Sequence, residues 1–216
     1  MIRVVIADDH TIVREGLKQL LLGAGVFEIV AEARDGHEVL KIVREAEVDV
    51  LLLDLSMPGK SGMELIKQVK SEKPRLRILV LSMHQEHQYA VRAIKAGASG
   101  YLTKDSASRQ LVSAIEKVAG GGAFISAEVA EQLALSAMPQ AEGPPHAALS
   151  DREYQVFRML VSGRSVSEIA VDLNLSVKTV STHKARLMEK MGIDNPADLV
   201  RYAMRHRLVD DQGDAL

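Results

Sequence analysis

The chain has no cysteine, which excludes a disulfide scaffold, thiol catalysis and cysteine-ligated zinc. That absence fits a reducing compartment, so a cytoplasmic location is expected. Tryptophan is also missing and aromatics make up only 3% of residues, so the cores must be built from Leu, Val, Ile, Ala and Met. Long hydrophobic runs are absent too. Stretches such as Val50–Leu53 fall far short of the roughly 18 apolar residues that cross a bilayer. The N-terminus gives a short apolar run and then Asp8 and Asp9, without the long apolar segment of a signal peptide. No membrane partner is expected. A strong excess of charge of either sign is also absent, and the net charge of −2 argues neither for nor against nucleic acid. Its distribution says more. Residues 1–119 carry +1, 120–149 carry −3, 150–209 carry +3 and 210–216 carry −3. The C-terminal part is the basic one.

What is present is enough for two domains: 216 residues, of which 47% are hydrophobic. The first 119 residues alternate apolar runs with amphipathic segments. Ile2–Ala7, Phe27–Ala33, Val48–Leu53, Arg77–Leu81 and Gly100–Leu102 read as strands, and 11–22, 36–46, 62–72, 87–96 and 107–119 as helices. The third and fourth strands are apolar almost throughout, as in a parallel sheet covered on both faces. Ser61-Gly-Met-Glu64 has the form of a capping box for the third helix. This (βα)5 alternation predicts an α/β fold with a doubly wound, five-stranded parallel sheet.

Gly120-Gly-Gly122 ends the last of these helices, a short helix is expected at 126–136, and Met138–His146 reads as linker. Residues 149–209 show no strand pattern. Ser150-Asp-Arg-Glu153 and Ser165-Val-Ser-Glu168 are capping boxes, Ser176 is an N-cap, and Asn195-Pro-Ala-Asp198 opens a last helix at about 197–207. The expected division is a domain at 1–119, a linker at 120–148, an all-α four-helix domain at 149–209 and an acidic tail at 210–216.

Asp8 and Asp9 follow the first strand and Asp54 follows the third. In a doubly wound sheet those ends lie together at the carboxyl edge, where such folds place their sites. Converging carboxylates repel unless a cation lies between them, and an oxygen-only set with room for water suits Mg²⁺. Ser82 and Lys104 end at the same edge. Together these supply what an aspartyl phosphate needs: a nucleophile, a cation for the phosphoryl charge, and donors for its oxygens. Taken singly, an Asp-Asp pair before a helix is an ordinary N-cap and a lone Lys an ordinary surface residue.

The Asp8-Asp9 pair, Asp54 followed by Leu-Ser-Met-Pro58-Gly, Leu81-Ser82, Gly97-Ala98 and Tyr101-Leu-Thr-Lys104 together resemble the receiver domain of response regulators. The resemblance implies that Asp54 is the phosphoacceptor, that Asp8, Asp9 and Asp54 hold Mg²⁺, and that Ser82 and Lys104 contact the phosphoryl group. Tyr101 would be the switch aromatic that turns inward with Ser82. Many receivers carry Pro after this Lys, where a cis bond is permitted, whereas here Asp105 follows. A non-proline cis bond costs about 3–4 kcal/mol, so either that strain is present or the loop runs differently.

In the C-terminal part, Val166–Leu173, the turn Asn174–Ser176 and Val177–Met191 form a helix–turn–helix pattern. Val180, Leu187 and Met191 make the inward stripe of the second helix, while Lys178, Ser181, Thr182, Ala185, Arg186 and Glu189 point outward. A helix presenting cations, hydroxyls and small residues can lie in the major groove. An isolated helix of this kind is more often a solvated face. Residues 149–209 as a whole, however, resemble the DNA-binding domain of the NarL/FixJ and LuxR type. That resemblance makes the second helix the recognition helix, with Lys178, Thr179, Ser181, Thr182, His183, Lys184, Ala185 and Arg186 as DNA contacts. His183 is read as a phosphate or packing contact, and the last helix as able to dimerise.

The function expected is transcription regulation, with a sensor histidine kinase as phosphodonor, promoter DNA as target, and a homodimer formed on phosphorylation or on DNA. Two rivals are a Mg²⁺-dependent phosphohydrolase using Asp54, and a DNA-binding protein whose first domain is only a scaffold. The first lacks an evident general acid or base near Asp54, and the chain is not expected to be an enzyme.

Overall fold

The computed structural model describes residues 1–57, 62–83, 87–136, 144–206 and 208. Pro58, Ser61, residues 138–143 of the linker, and residues 207 and 209–216 lie outside this set. The chain divides into two compact units, 1–133 and 134–216.

In the first unit, β1 (Ile2–Ala7), β2 (Phe27–Ala33), β3 (Val50–Asp54), β4 (Arg77–Ser82) and β5 (Gly100–Thr103) form one sheet in the order β2-β1-β3-β4-β5. Every pairing is parallel. Alternation of side chains along each strand divides the apolar residues between two faces. Val5, Ala7, Leu51, Leu53, Ile78 and Val80 pack under α2 (Gly36–Glu45), α3 (Gly62–Glu72) and α4 (His87–Ala96). Val4, Ile6, Val50, Leu52, Leu79 and Leu81 pack under α1 (Thr11–Ala24) and α5 (Lys104–Ala119). The doubly wound sheet expected from the sequence is therefore present.

Two element starts differ from expectation by two residues or more. β3 starts later than Val48 because Asp49 is tied down: its carboxylate accepts from the Arg3 amide at 2.8 Å and from Arg3 Nη2 at 2.9 Å. α5 starts at Lys104 rather than at 107, and no loop separates it from β5. Thr103 holds the extended N-cap conformation and Asp105 places an acid in the first turn, where the helix dipole favours it. No peptide bond among the described residues is cis.

Chain beyond α5 stays on this unit. Phe124 bridges to Gly100 in parallel fashion, with Phe124 N donating to Ser99 O at 3.1 Å and Tyr101 N donating to Phe124 O at 2.8 Å. α6 (Ala127–Ser136) then places Val129 and Leu133 against the same core as Tyr101.

In the second unit a 3-10 turn, Pro145–Ala148, precedes α7 (Asp151–Val161), α8 (Val166–Asp172), α9 (Val177–Met191) and α10 (Pro196–Arg205). Both expected capping boxes, Ser150/Glu153 and Ser165/Glu168, are formed. Ser176 accepts from the Thr179 amide, and Asn195 from the Asp198 amide. Tyr154, Val156, Phe157, Ile169, Val180, Leu187, Leu199 and Ala203 make the core.

Candidate functional site

The sheet order places β1 between β2 and β3, so the chain leaves β1 toward one edge and returns to its other side. A crevice opens at such a point beyond the carboxyl ends of the strands. Asp54 is the last residue of β3, and Asp8 and Asp9 lie just past β1. The registers Asp54↔Leu81 and Ser82↔Thr103 bring Asp54, Ser82 and Lys104 to nearly the same level at the carboxyl ends of three adjacent strands.

Asp8 and Asp54 are almost fully buried, at 0% and 1% exposure. Lys104 lies between them, its Nζ 2.6 Å from Asp8 Oδ2 and 2.8 Å from Asp54 Oδ2. The Ser56 amide donates to Asp54 Oδ1 at 3.0 Å. Burial pushes the Asp54 carboxyl above its ordinary value, against the opposing pull of Lys104. Burial also works against the Lys104 ammonium, but its bonds to Asp54 and Asp8 outweigh that effect and hold it above the usual lysine value. A more basic carboxylate is, in its ionised form, the better nucleophile. Ser82 is fully buried at the end of β4, and Tyr101 is 9% exposed.

Asp9 Oδ1 is a buried oxygen that receives no hydrogen bond from the described residues. Asp8, Asp9, His10 and Asp54 each offer a ligand atom, all within 4.8 Å of one another. Three carboxylates with an oxygen left without a donor fit a hard divalent cation. His10 was not among the residues expected here, although its place directly after the Asp pair signalled it. Arg14 was also missed. It is 3% exposed and donates through Nη1 to the Asp8 carbonyl at 2.7 Å, fixing the turn that carries the pair.

In the second unit, α8 ends at a turn where Asn174 takes the left-handed conformation, φ 51°. Asn is one of the few non-glycine residues that tolerate it. Its amide donates to Val171 O and that of Leu175 to Ala170 O, closing the helix so that α9 can depart. Along α9, Val180, Leu187 and Met191 are buried. Lys178, Ser181, Thr182, Ala185 and Arg186 are exposed, while Thr179, His183 and Lys184 are half-buried. The Thr182 hydroxyl donates to Lys178 O at 2.9 Å, which leaves its oxygen as an acceptor. Lys190 reaches back to the buried Glu153 carboxylate at 2.6 Å and ties α9 to the start of α7. That pairing joins residues distant in sequence and carries no local signal.

Residues 4–116 match the family model described as the response regulator receiver domain, and residues 147–203 match that of the bacterial regulatory proteins of the luxR family. The chain is 38% identical over 209 residues to the response regulator UvrY of Escherichia coli K12, covering 96% of each. It is 37% identical to the response regulator GacA of Pseudomonas aeruginosa, covering 97% of this chain and 99% of that one. Among solved structures, RcsB of Salmonella typhimurium matches with a TM-score of 0.71 at 31% identity, covering 94% of this chain and 97% of that one. RcsB from Salmonella enterica serovar Typhimurium, bound to promoter rprA in the presence of phosphomimetic BeF3⁻, matches at 0.67 and 30% identity over 94% and 99%. These are transcription regulators, not phosphohydrolases, and the chain belongs with them as a DNA-binding response regulator that joins a receiver domain to a LuxR-type helix-turn-helix domain.

Proposed function

We propose that Asp54 accepts a phosphoryl group from a sensor histidine kinase and that this event controls promoter binding through α9. The observation that carries the proposal is the buried Asp54 carboxylate, bonded to Lys104 on one oxygen and to the Ser56 amide on the other, beside Asp8 and Asp9. In the transfer, an Asp54 oxygen attacks phosphorus, the P–N bond of the donor phosphohistidine breaks, and the leaving imidazole keeps the electron pair and takes a proton. Lys104 offsets charge on the phosphoryl oxygens, and Ser82 at the neighbouring strand end donates to them. Asp8, Asp9 and Asp54 would hold Mg²⁺, which when bound neutralises phosphoryl charge. Asp54 then carries roughly two negative charges where it had one. Lys104 and Ser82 turn toward them, and Tyr101 responds behind Ser82. Residues 1–119 are the receiver, 120–148 join it to the DNA-binding domain 149–209, and 210–216 are a tail.

On DNA, Lys178, Lys184 and Arg186 reach phosphates, and Thr179, Ser181, Thr182, His183 and Ala185 approach the groove. A single helix-turn-helix covers one half-site, so two copies on DNA are expected. RcsB dimers bound to DNA give a precedent for that arrangement. Met204, 68% exposed on α10, provides apolar surface for pairing. Incubation with acetyl phosphate and Mg²⁺ should yield one hydroxylamine-sensitive acyl phosphate per chain, raise DNA affinity, and do neither in Asp54→Asn. Full labelling of that variant would remove Asp54 as the acceptor.

A further inference from the structure

His10 occupies the N-cap position of α1, yet its side chain caps nothing. A Ser, Thr or Asp there would aim an oxygen at the first amides of the helix. The imidazole instead lies against the acidic pocket. Its Nδ1 is 2.9 Å from Asp9 Oδ1 and 3.2 Å from Asp8 Oδ1. The His10 amide donates to that same Asp8 oxygen at 2.8 Å, so the backbone holds the ring in place.

A single Nδ1–H can point at only one of these oxygens, and Asp9 Oδ1, buried and close by, receives no hydrogen bond from the described residues. The spacing has a second meaning. Around a six-coordinate dication with bonds of about 2.1 Å, neighbouring donor atoms stand about 3.0 Å apart. Nδ1 thus stands from Asp8 Oδ1 and from Asp9 Oδ1 at the separation of neighbouring corners of such an octahedron. Imidazole nitrogen also differs in kind from the surrounding carboxylates. Oxygen sets suit Mg²⁺, whereas nitrogen favours the later transition metals.

We propose that His10 is a nitrogen donor to the dication held by Asp8, Asp9 and Asp54, and that it tilts the pocket toward transition-metal dications relative to Mg²⁺. The proposal rests on the cation site described under the proposed function. In it, neutral His10 turns its Nδ1 lone pair to the metal, and the contact with the two carboxylates is replaced by shared coordination.

The test uses full-length protein. Mg²⁺, Mn²⁺ and Ni²⁺ are titrated by calorimetry into wild type, His10→Ala and Asp9→Asn, and the Mn²⁺ complexes are examined by electron spin echo for nitrogen coupling. His10→Ala should lower the Ni²⁺-over-Mg²⁺ affinity ratio by about tenfold or more, since losing even an outer-shell partner of a metal ligand costs about that much. Mg²⁺ affinity should move by no more than about twofold, because oxygen ligands dominate its binding. Nitrogen coupling should be present in wild type and absent from His10→Ala. An unchanged ratio, or no nitrogen coupling in wild type, overturns the proposal while leaving the cation site intact. A Ni²⁺ signal that survives Asp9→Asn belongs to another histidine and also counts against it. If wild type binds no dication, the cation site itself fails and His10 falls with it.

Discussion

Lys104→Met should destabilise the receiver strongly, and the deficit should depend on both Mg²⁺ and pH. Lys104 is 13% exposed and its Nζ lies within 2.8 Å of two carboxylates that are themselves 0% and 1% exposed. Removing one partner of a buried ionic cluster leaves uncompensated charge and costs about 3–5 kcal/mol. On a unit of this size that lowers the melting temperature by roughly 10–20 °C. The pH dependence has a definite sign. Burial already raises the Asp54 carboxyl above its ordinary value, and loss of the lysine raises it further. In the variant, the folded state binds a proton at a pH where the unfolded state does not, so the deficit shrinks as pH falls from 7 toward 4. A dication can replace the missing charge. Mg²⁺ at about 100 times its Kd adds about 2.7 kcal/mol, and the rescue should exceed that of wild type, in which Lys104 competes for the same oxygens. With no tryptophan in the chain, unfolding is best followed in urea by far-UV circular dichroism, with calorimetry to separate the two units. A loss below about 1 kcal/mol, the scale of an exposed pair, or equal Mg²⁺ responses in variant and wild type, would refute the reasoning.

Gly100→Ala would put a Cβ 2.9 Å from both Phe124 O and Leu79 Cδ1. It should cost about 1–3 kcal/mol and expose residues 123–133 to amide exchange before the rest of the receiver; unchanged protection there would mean that the Phe124 pairing does not hold the segment. Glu153→Gln should destabilise the DNA-binding unit by about 2 kcal/mol at pH 7. Burial opposes the Glu153 charge, but Lys190 and Ser150 outweigh it and hold the carboxyl below 4.5, so its contribution is present above 4.5 and lost as pH falls below. Urea titrations of that variant at pH 7 and pH 3.5 should show the gap closing, and an undiminished gap would mean that packing, not charge, sets it. Lys178→Ala and Arg186→Ala should each reduce the salt slope of DNA binding by about one unit, while Thr182→Ala should cost about 1–3 kcal/mol at one base step. Wild-type slopes in both cation variants would place the DNA on another surface.

Much of this architecture was legible because its signals are periodic and local. Strand residues 50–53 are apolar without alternation, which marks a strand covered on both faces, and β3 is buried along its whole length. The capping boxes at Ser150 and Ser165 announced α7 and α8 because the reciprocal bonds join residues three apart. Asp8, Asp54 and Lys104 could be gathered at one edge because strand order alone brings those ends together. The features that escaped depend on contacts that no local pattern encodes. The early start of α5 follows from β5 ending directly in a helical turn. The position of the His10 ring follows from the turn that Arg14 holds from behind.

The segment after Gly122 shows the same limit most sharply. Ala123-Phe-Ile125 is too short to read as a strand, and three preceding glycines read as an ending. Its partner is Ser99-Gly-Tyr101, more than twenty residues earlier, and Gly100 looks like any residue opening a strand. The docked segment and the Leu79 side chain together explain that glycine, because a Cβ would collide with Phe124 O and with Leu79 Cδ1. The amide of Tyr101, the residue proposed as the switch, donates to that same carbonyl. Whatever moves the Tyr101 backbone must therefore stretch or release the strand-like pairing that leads into α6.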